Sequence, residues 1–209
     1  AVYVHADGKT RDVTAVLARN LDTFAWLPKD DSLLLTGEDG TRSVIWQQGM
    51  HGPARVLDTG EVNVGSDTSV SRNGVIAFTG STTTHPDELY VMDSVTAKPR
   101  RLTDLNAFVD ELKLGRTETV NWQGPDGFRE DGAVTYPVGY QQGRKYPLVL
   151  VVHGGPEGSS TVRFSPLPQL LAAAGFLVFQ PNYRGSINLG DKYQHAIYRD
   201  NGAGPGKDV

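Results

Sequence analysis

Through the first half of the chain, apolar and polar positions alternate in short runs that turn-forming residues interrupt every few positions. This is the pattern of half-buried β-strands. The first such run is AVYVH at the start. Phe24-Ala25-Trp26 then leads through a Pro28–Asp31 turn to SLLLTG, EDGTR turns the chain into SVIWQQ, and Arg55-Val56-Leu57-Asp58 follows. The unit reads strand, turn, strand, turn, and it recurs. Leu33-Leu34-Leu35-Thr36-Gly37 returns as Ile76-Ala77-Phe78-Thr79-Gly80, with the shared Thr-Gly offset by 43 residues. Val44-Ile45-Trp46 returns as Leu89-Tyr90-Val91 at offset 45, Pro53–Val56 as Pro99–Leu102 at offset 46, and Val2-Tyr3-Val4 stands 42 residues before Val44.

A period in the low to middle forties with about four strands per unit is the spacing of β-propeller blades. The pattern predicts two complete blades and the last half of a third over residues 1–106. A closed ring needs at least about four blades, so the others are expected before Ala1. A β-sandwich with coincidental spacing is the alternative. The blades' Asp and Glu residues show no metal-like clustering and read as solvated turn residues.

Residues 107–146 read as a bridge, with Glu118–Trp122 and GAVTYPVGY as two strands joined through Gly124-Pro125-Asp126-Gly127. From residue 147 the pattern changes. Leu148–Val152 is a continuous apolar run, as in a parallel strand covered on both faces. HGGPEGSS follows as a loop, Pro168–Ala174 as a helix stopped by Gly175, and Phe176–Phe179 as a second buried strand. Strand, loop, helix, strand is a βαβ unit and implies α/β architecture.

Composition changes this picture little. A net charge of −4 and a pI near 5.7 argue against a dominant nucleic-acid or anionic-membrane surface. Mean hydropathy is −0.34, and no run approaches the roughly 18 apolar residues of a membrane span. The chain has no cysteine, so it holds no disulfide, thiolate metal site or cysteine nucleophile. Its compartment, cytoplasmic or periplasmic, is left open, as is homo-oligomerisation. The start without Met and the ending GPGKDV read as an internal piece of a longer protein.

LVVHGGP, AAAGFLVFQPNYRGS and the approach from Gly190-Asp191-Lys192-Tyr193 to GPGKDV together resemble the start of the catalytic domain of the prolyl oligopeptidase family of serine peptidases. The HGGP and NYRGS pair is most similar to the family's acylaminoacyl-peptidase-like and dipeptidyl-peptidase-like bacterial members. The resemblance implies a β-propeller followed by an α/β-hydrolase domain, of which residues 147–209 are the N-terminal part. It implies no metal and no organic cofactor.

In such a domain the loop after the third strand supplies one N–H of the oxyanion hole, and the N–H after the nucleophile supplies the other. On the resemblance, Gly155 is the donor and Gly154 shapes the turn. His153 stands where some relatives place an oxyanion-binding tyrosine, either as an imidazole helper or as a structural histidine under the loop. The nucleophile itself is expected in G-x-S-x-G, and no serine of this chain has glycine at both −2 and +2. The triad histidine should follow that elbow, so His5, His51, His85, His153 and His195 all lie too early.

The implied parent is a serine peptidase acting on short peptides by acyl transfer. This chain would contribute blades and part of the oxyanion hole, and a complementary C-terminal segment of the same protein would carry the triad. Two other readings accommodate the residues: an esterase with a β-rich accessory domain, and a non-catalytic propeller binding module. Arg184 reads as a buried ion-pair partner, His195 as a surface or packing residue, and Gly202, Gly204 and Gly206 as no phosphate loop.

Overall fold

The computed structural model describes residues 1–28, 31–155 and 157–209. Lys29 and Asp30 of the expected turn, and Pro156 of the HGGP loop, lie outside the described residues. Strands β1 (Tyr3–Ala6) and β2 (Lys9–Asp12) form an antiparallel pair. Next, β3 (Leu21–Trp26), β4 (Ser32–Asp39), β5 (Arg42–Gly49) and β6 (Arg55–Val56) make an antiparallel meander. β7 (Asn63–Val70), β8 (Ile76–Ser81), β9 (Glu88–Met92) and β10 (Arg100–Arg101) repeat it. Two four-stranded units preceded by a two-stranded one match part of a β-propeller.

The units stack because the middle strands are apolar on both faces. Successive side chains of a strand point to opposite sides. Leu33 and Leu35 of β4, with Val44 and Trp46 of β5, therefore pack on Val2 and Val13 of the first unit. Leu34 and Ile45 face the other way, into a core with Val64, Ile76, Phe78, Tyr90 and Met92 of the next unit. Each such fully buried side chain contributes roughly 1.5–3 kcal/mol.

The repeated Thr-Gly has a packing cause. A Cβ on Gly37 would lie 2.3 Å from the carbonyl oxygen of Asn20, and one on Gly80 would lie 3.0 Å from that of Asn63. In both units this glycine pairs with a residue near the start of the first strand, Leu21 or Val64, just before a register shift in the antiparallel ladder.

One sequence expectation fails in the second unit. Glu88 is no solvated turn residue: it is buried, and it accepts hydrogen bonds from Thr103 and from the backbone and side chain of Asn106. Burial alone would raise its pKa, but these donors hold it at about 2. His85, Glu88 and Asp104 do cluster, contrary to the expectation of no such grouping. Arg101 already supplies the positive charge there, lying 3.0 Å from His85 Nε2 and pairing with Asp104 at 3.1 Å.

Beyond a 3₁₀ turn at Ala107–Glu111, β11 (Thr117–Gln123) and β12 (Arg129–Thr135) form the expected hairpin. β13 (Leu148–Leu150), α1 (Pro166–Ala173) and β14 (Leu177–Asn182) follow, and β13 pairs parallel to β14, completing the βαβ unit. The sheet order is β11-β12-β14-β13. The helix begins two residues before Pro168, since a proline in the first turn has no hydrogen bond to lose. β13 is the sheet edge among the described residues, and its apolar run lies uncovered there, with Leu148 58% and Leu150 44% exposed. The chain closes with α2 (Asp191–Gln194), a 3₁₀ turn and α3 (Ala203–Asp208).

The β4–β5 turn ties the blades to this sheet. Val162 N–H donates to Thr41 O (2.8 Å), Gly40 N–H to Asn188 O (3.2 Å), and Asn20 Nδ2 to Ile187 O (2.9 Å). Arg163 reaches back to Asp87 at 2.6 Å.

Candidate active site

The loop after β13 leaves the sheet with Val151 N–H donating to Phe179 O (2.9 Å). At His153, the Tyr183 hydroxyl donates to the main-chain oxygen (2.8 Å), and the two rings stack at 4.5 Å between centroids. His153 Nε2 lies 2.8 Å from Ser186 Oγ, while that hydroxyl donates to Tyr183 O at 2.6 Å. The serine's single proton is thus engaged, and the imidazole's Nδ1 lies 3.2 Å from Gly154 O. Burial pushes the His153 pKa down, so the ring is neutral near pH 7. This Ser–His contact is no nucleophile and base, because Ser186 is fully buried and, among the described residues, no carboxylate orients the ring.

The conformational demand in the glycine pair falls on Gly155. Gly155 has φ +136°, where L side chains are rare, and its Cβ would meet Glu157 N at 2.6 Å. Gly154 borders open space. Among the described residues, the Gly155 N–H donates to no protein acceptor. Gly155 lines an open cavity of about 570 Å³ with Val152, Tyr183, Ile197, Pro205 and Val209.

The far end of the loop is held by residues that sequence reading missed. Asn182, wholly buried at the end of β14, accepts from Ser160 N–H (2.6 Å) and donates through Nδ2 to Ser160 O (3.0 Å) and Asp131 Oδ1 (2.8 Å). Asn188 Nδ2 donates to the same Asp131 oxygen at 2.7 Å. Burial raises the Asp131 pKa, and these two amides oppose the rise. The one signal in the sequence was an asparagine, a poor strand former, ending an apolar strand.

Beside this network, Arg184 is the buried ion-pair partner expected of it. Its main-chain N–H and Nε donate to Asp208 Oδ2 (2.9 and 2.7 Å), one terminal nitrogen to Asp208 Oδ1 (2.6 Å), and the other to Asp126 (2.7 Å). Burial, then the charge of Asp208, pushes Glu130 up to about 7, while Trp122 Nε1 donates to its Oε2 at 2.6 Å. His195 is exposed and stacks on Tyr198, and Gly204 and Gly206 lie within α3, away from any strand.

Residues 162–209 match the prolyl oligopeptidase family. Over its whole length the chain is 27% identical to dipeptidyl-peptidase 5 of Aspergillus fumigatus, of which it spans 30%. Its fold superposes on an acylaminoacyl peptidase solved with Z-Gly-Gly-Phe-chloromethyl ketone, with a TM-score of 0.82 and 22% identity over 99% of this chain and 32% of that one. The Pyrococcus horikoshii acylaminoacyl peptidase gives 0.81 at 22% identity, over the same shares. The resemblance to the prolyl oligopeptidase family therefore holds, and the chain spans about a third of the length of these relatives.

Proposed function

We propose, on its resemblance to the prolyl oligopeptidase family, that this chain is the part of a serine peptidase in which the last propeller blades (1–106) pass through a bridge (107–146) into the start of an α/β-hydrolase domain (147–209). The blades restrict access to a cleft between the domains, and the parent hydrolyses short peptides. The observation that carries the reading is the HGGP loop after β13. Its Gly155 N–H is unengaged by protein among the described residues and borders a cavity able to receive an acyl group.

In the proposed mechanism a serine outside this chain attacks the scissile carbonyl. The triad's base takes the serine proton, and the tetrahedral oxyanion is held by the Gly155 N–H and by the N–H after the nucleophile; collapse breaks the C–N bond as the base protonates the leaving amine, and water then hydrolyses the acyl-enzyme. Negative charge grows on that oxygen only as the barrier is climbed, so a fixed donor there stabilises the transition state by roughly 3–4 kcal/mol. Gly154 leaves the approach open, and His153 braces the loop through Ser186 and Tyr183. The serine, its base and the base's orienting acid belong to a complementary C-terminal segment packed on β13 and α1.

The test is to treat the intact protein with a fluorophosphonate probe and assay blocked and free-amine peptide amides beside acyl esters. Labelling of one serine downstream of residue 209, with turnover of peptide amides, supports the reading. Turnover of esters alone would make the parent an esterase, and absence of labelling would make it a binding protein.

A further inference from the structure

The 153–160 loop is gripped at both ends by two consecutive residues. Tyr183 holds the entry through the bond from its hydroxyl to His153 O and through the stacked ring. Asn182 holds the exit, its carboxamide satisfying both the N–H and the C=O of Ser160 as a neighbouring strand would. Adjacent residues leaving a strand point to opposite sides, so one dipeptide reaches both ends of the loop.

Two further bonds fix the exit. Ile187 N–H donates to Gly158 O (3.1 Å), and Ser159 Oγ donates to Glu38 of β4. Asp131 orients the Asn182 amide: a carboxylate only accepts, so Nδ2 must face it and Oδ1 must face Ser160 N–H. Asp131 also takes Asn188 Nδ2, and the Asn188 main-chain oxygen accepts from Gly40 of the β4–β5 turn. The chain of bonds thus runs from blade turn to loop exit through wholly or nearly wholly buried groups.

We propose that Asn182, oriented by Asp131, is a positioning residue that sets the aim of the Gly155 N–H, with Tyr183 as its counterpart at the loop's entry. The inference rests on Gly155 being an oxyanion donor, as proposed above. It extends that reading to residues that touch neither substrate nor nucleophile. Mis-aiming a donor by about an ångström costs up to about 100-fold in rate, and the loss falls on kcat because the donor acts on charge that develops only in the transition state.

The experiment compares N182A, N182D, Y183F and the double variant N182D/D131N in the intact protein, with kcat and KM per probe-titrated site and hydrogen exchange over residues 153–162. N182D places two carboxylates face to face. The double variant returns the pair to its original charge and keeps an acceptor for Ser160 N–H, but a carboxylate at 182 has no donor for Ser160 O, so it rebuilds only the accepting half of the clamp. The expected result is a 10- to 100-fold fall in kcat for N182A and N182D, nearly constant KM, faster exchange at Ser160, and recovery of no more than part of the N182D loss in the double variant. Y183F, which keeps the stacked ring, should give a smaller fall in kcat.

A merely structural Asn182 predicts a lower melting temperature with kcat per titrated site within about twofold of wild type, which would overturn the proposal. If N182A is insoluble, N182D and Y183F decide by the same criteria. Exchange separates this claim from the one beneath it. Wild-type protein that takes up no probe removes the proposed function, and unchanged exchange at 157–162 in the Asn182 variants removes the clamp whatever the activity.

Discussion

Glu130 is fully buried, and its Oε1 has no donor among the described residues, so the carboxyl is held as the neutral acid beside the Asp208 carboxylate. Unfolded, it would release its proton near the ordinary 4.5; folded, it keeps it up to about 7. The folded state therefore binds more protons across that window, and stability contributed by the neutral form falls as pH rises from 4.5 through 7 and is level above. Asp208 acts in the opposite sense and lower down: Arg184 depresses its pKa, so its contribution is lost only as pH falls below the ordinary 3.8. Glu130→Gln keeps an N–H to offer Asp208 and has nothing to titrate. Melting curves at pH 5 and pH 8 should show wild type losing stability with pH and the variant losing less; parallel losses would show that Glu130 is already ionised. Asp208→Asn strips Arg184 of its buried counter-charge, and denaturation at pH 7 should show a cost of about 3–5 kcal/mol. None of this was legible in the sequence, because Glu130, Arg184 and Asp208 are brought together only by the fold. The Arg184 ion pair could be expected in kind, but its partners could not be named.

At the scale of elements, Gly37 and Gly80 are where the start of each unit's first strand lies closest on its second, beside a register shift in the ladder. Gly37→Ala or Gly80→Ala would drive a methyl into main-chain oxygen at 2.3 or 3.0 Å, which cannot move aside as a side-chain tip can. Each should lower stability by about 1–3 kcal/mol, with Gly37 the more severe. Melting that matches wild type would mean that this contact yields to a methyl group. The blades were legible in the sequence because this close pairing recurs and the apolar alternation of β4, β5, β8 and β9 recurs with it. Strand ends were less so. The Leu148 run ends in regular pairing at Leu150 because only β14 lies beside it, and helix α1 starts early because Ser165 and Pro166 open it. The loop was legible as an HGGP signature. Its anchoring was not, since Asn182 bonds Ser160 across 22 positions and Asp131 across 51.

For the whole molecule, the apolar residues of β13 and α1 matter most. Leu148, Leu150 and Val152, with Leu167 and Leu170 of the helix, are all exposed. An exposed edge strand with apolar side chains invites pairing with other chains. Residues 1–209 expressed alone should therefore self-associate in sedimentation velocity, and co-expression with a covering segment should yield a discrete species. A monodisperse, cooperatively melting monomer would mean that this face needs no cover. The most direct test of the central claim, that the 153–160 loop aims the Gly155 N–H at a developing oxyanion, is a crystal structure of the intact protein after reaction with a fluorophosphonate, whose phosphonyl oxygen mimics that oxygen. The account predicts this oxygen about 2.7–3.1 Å from the Gly155 nitrogen, with Asn182 still bonded to Ser160. A phosphonyl oxygen turned away from the loop, or a Gly155 N–H pointing out of the cleft, would contradict it.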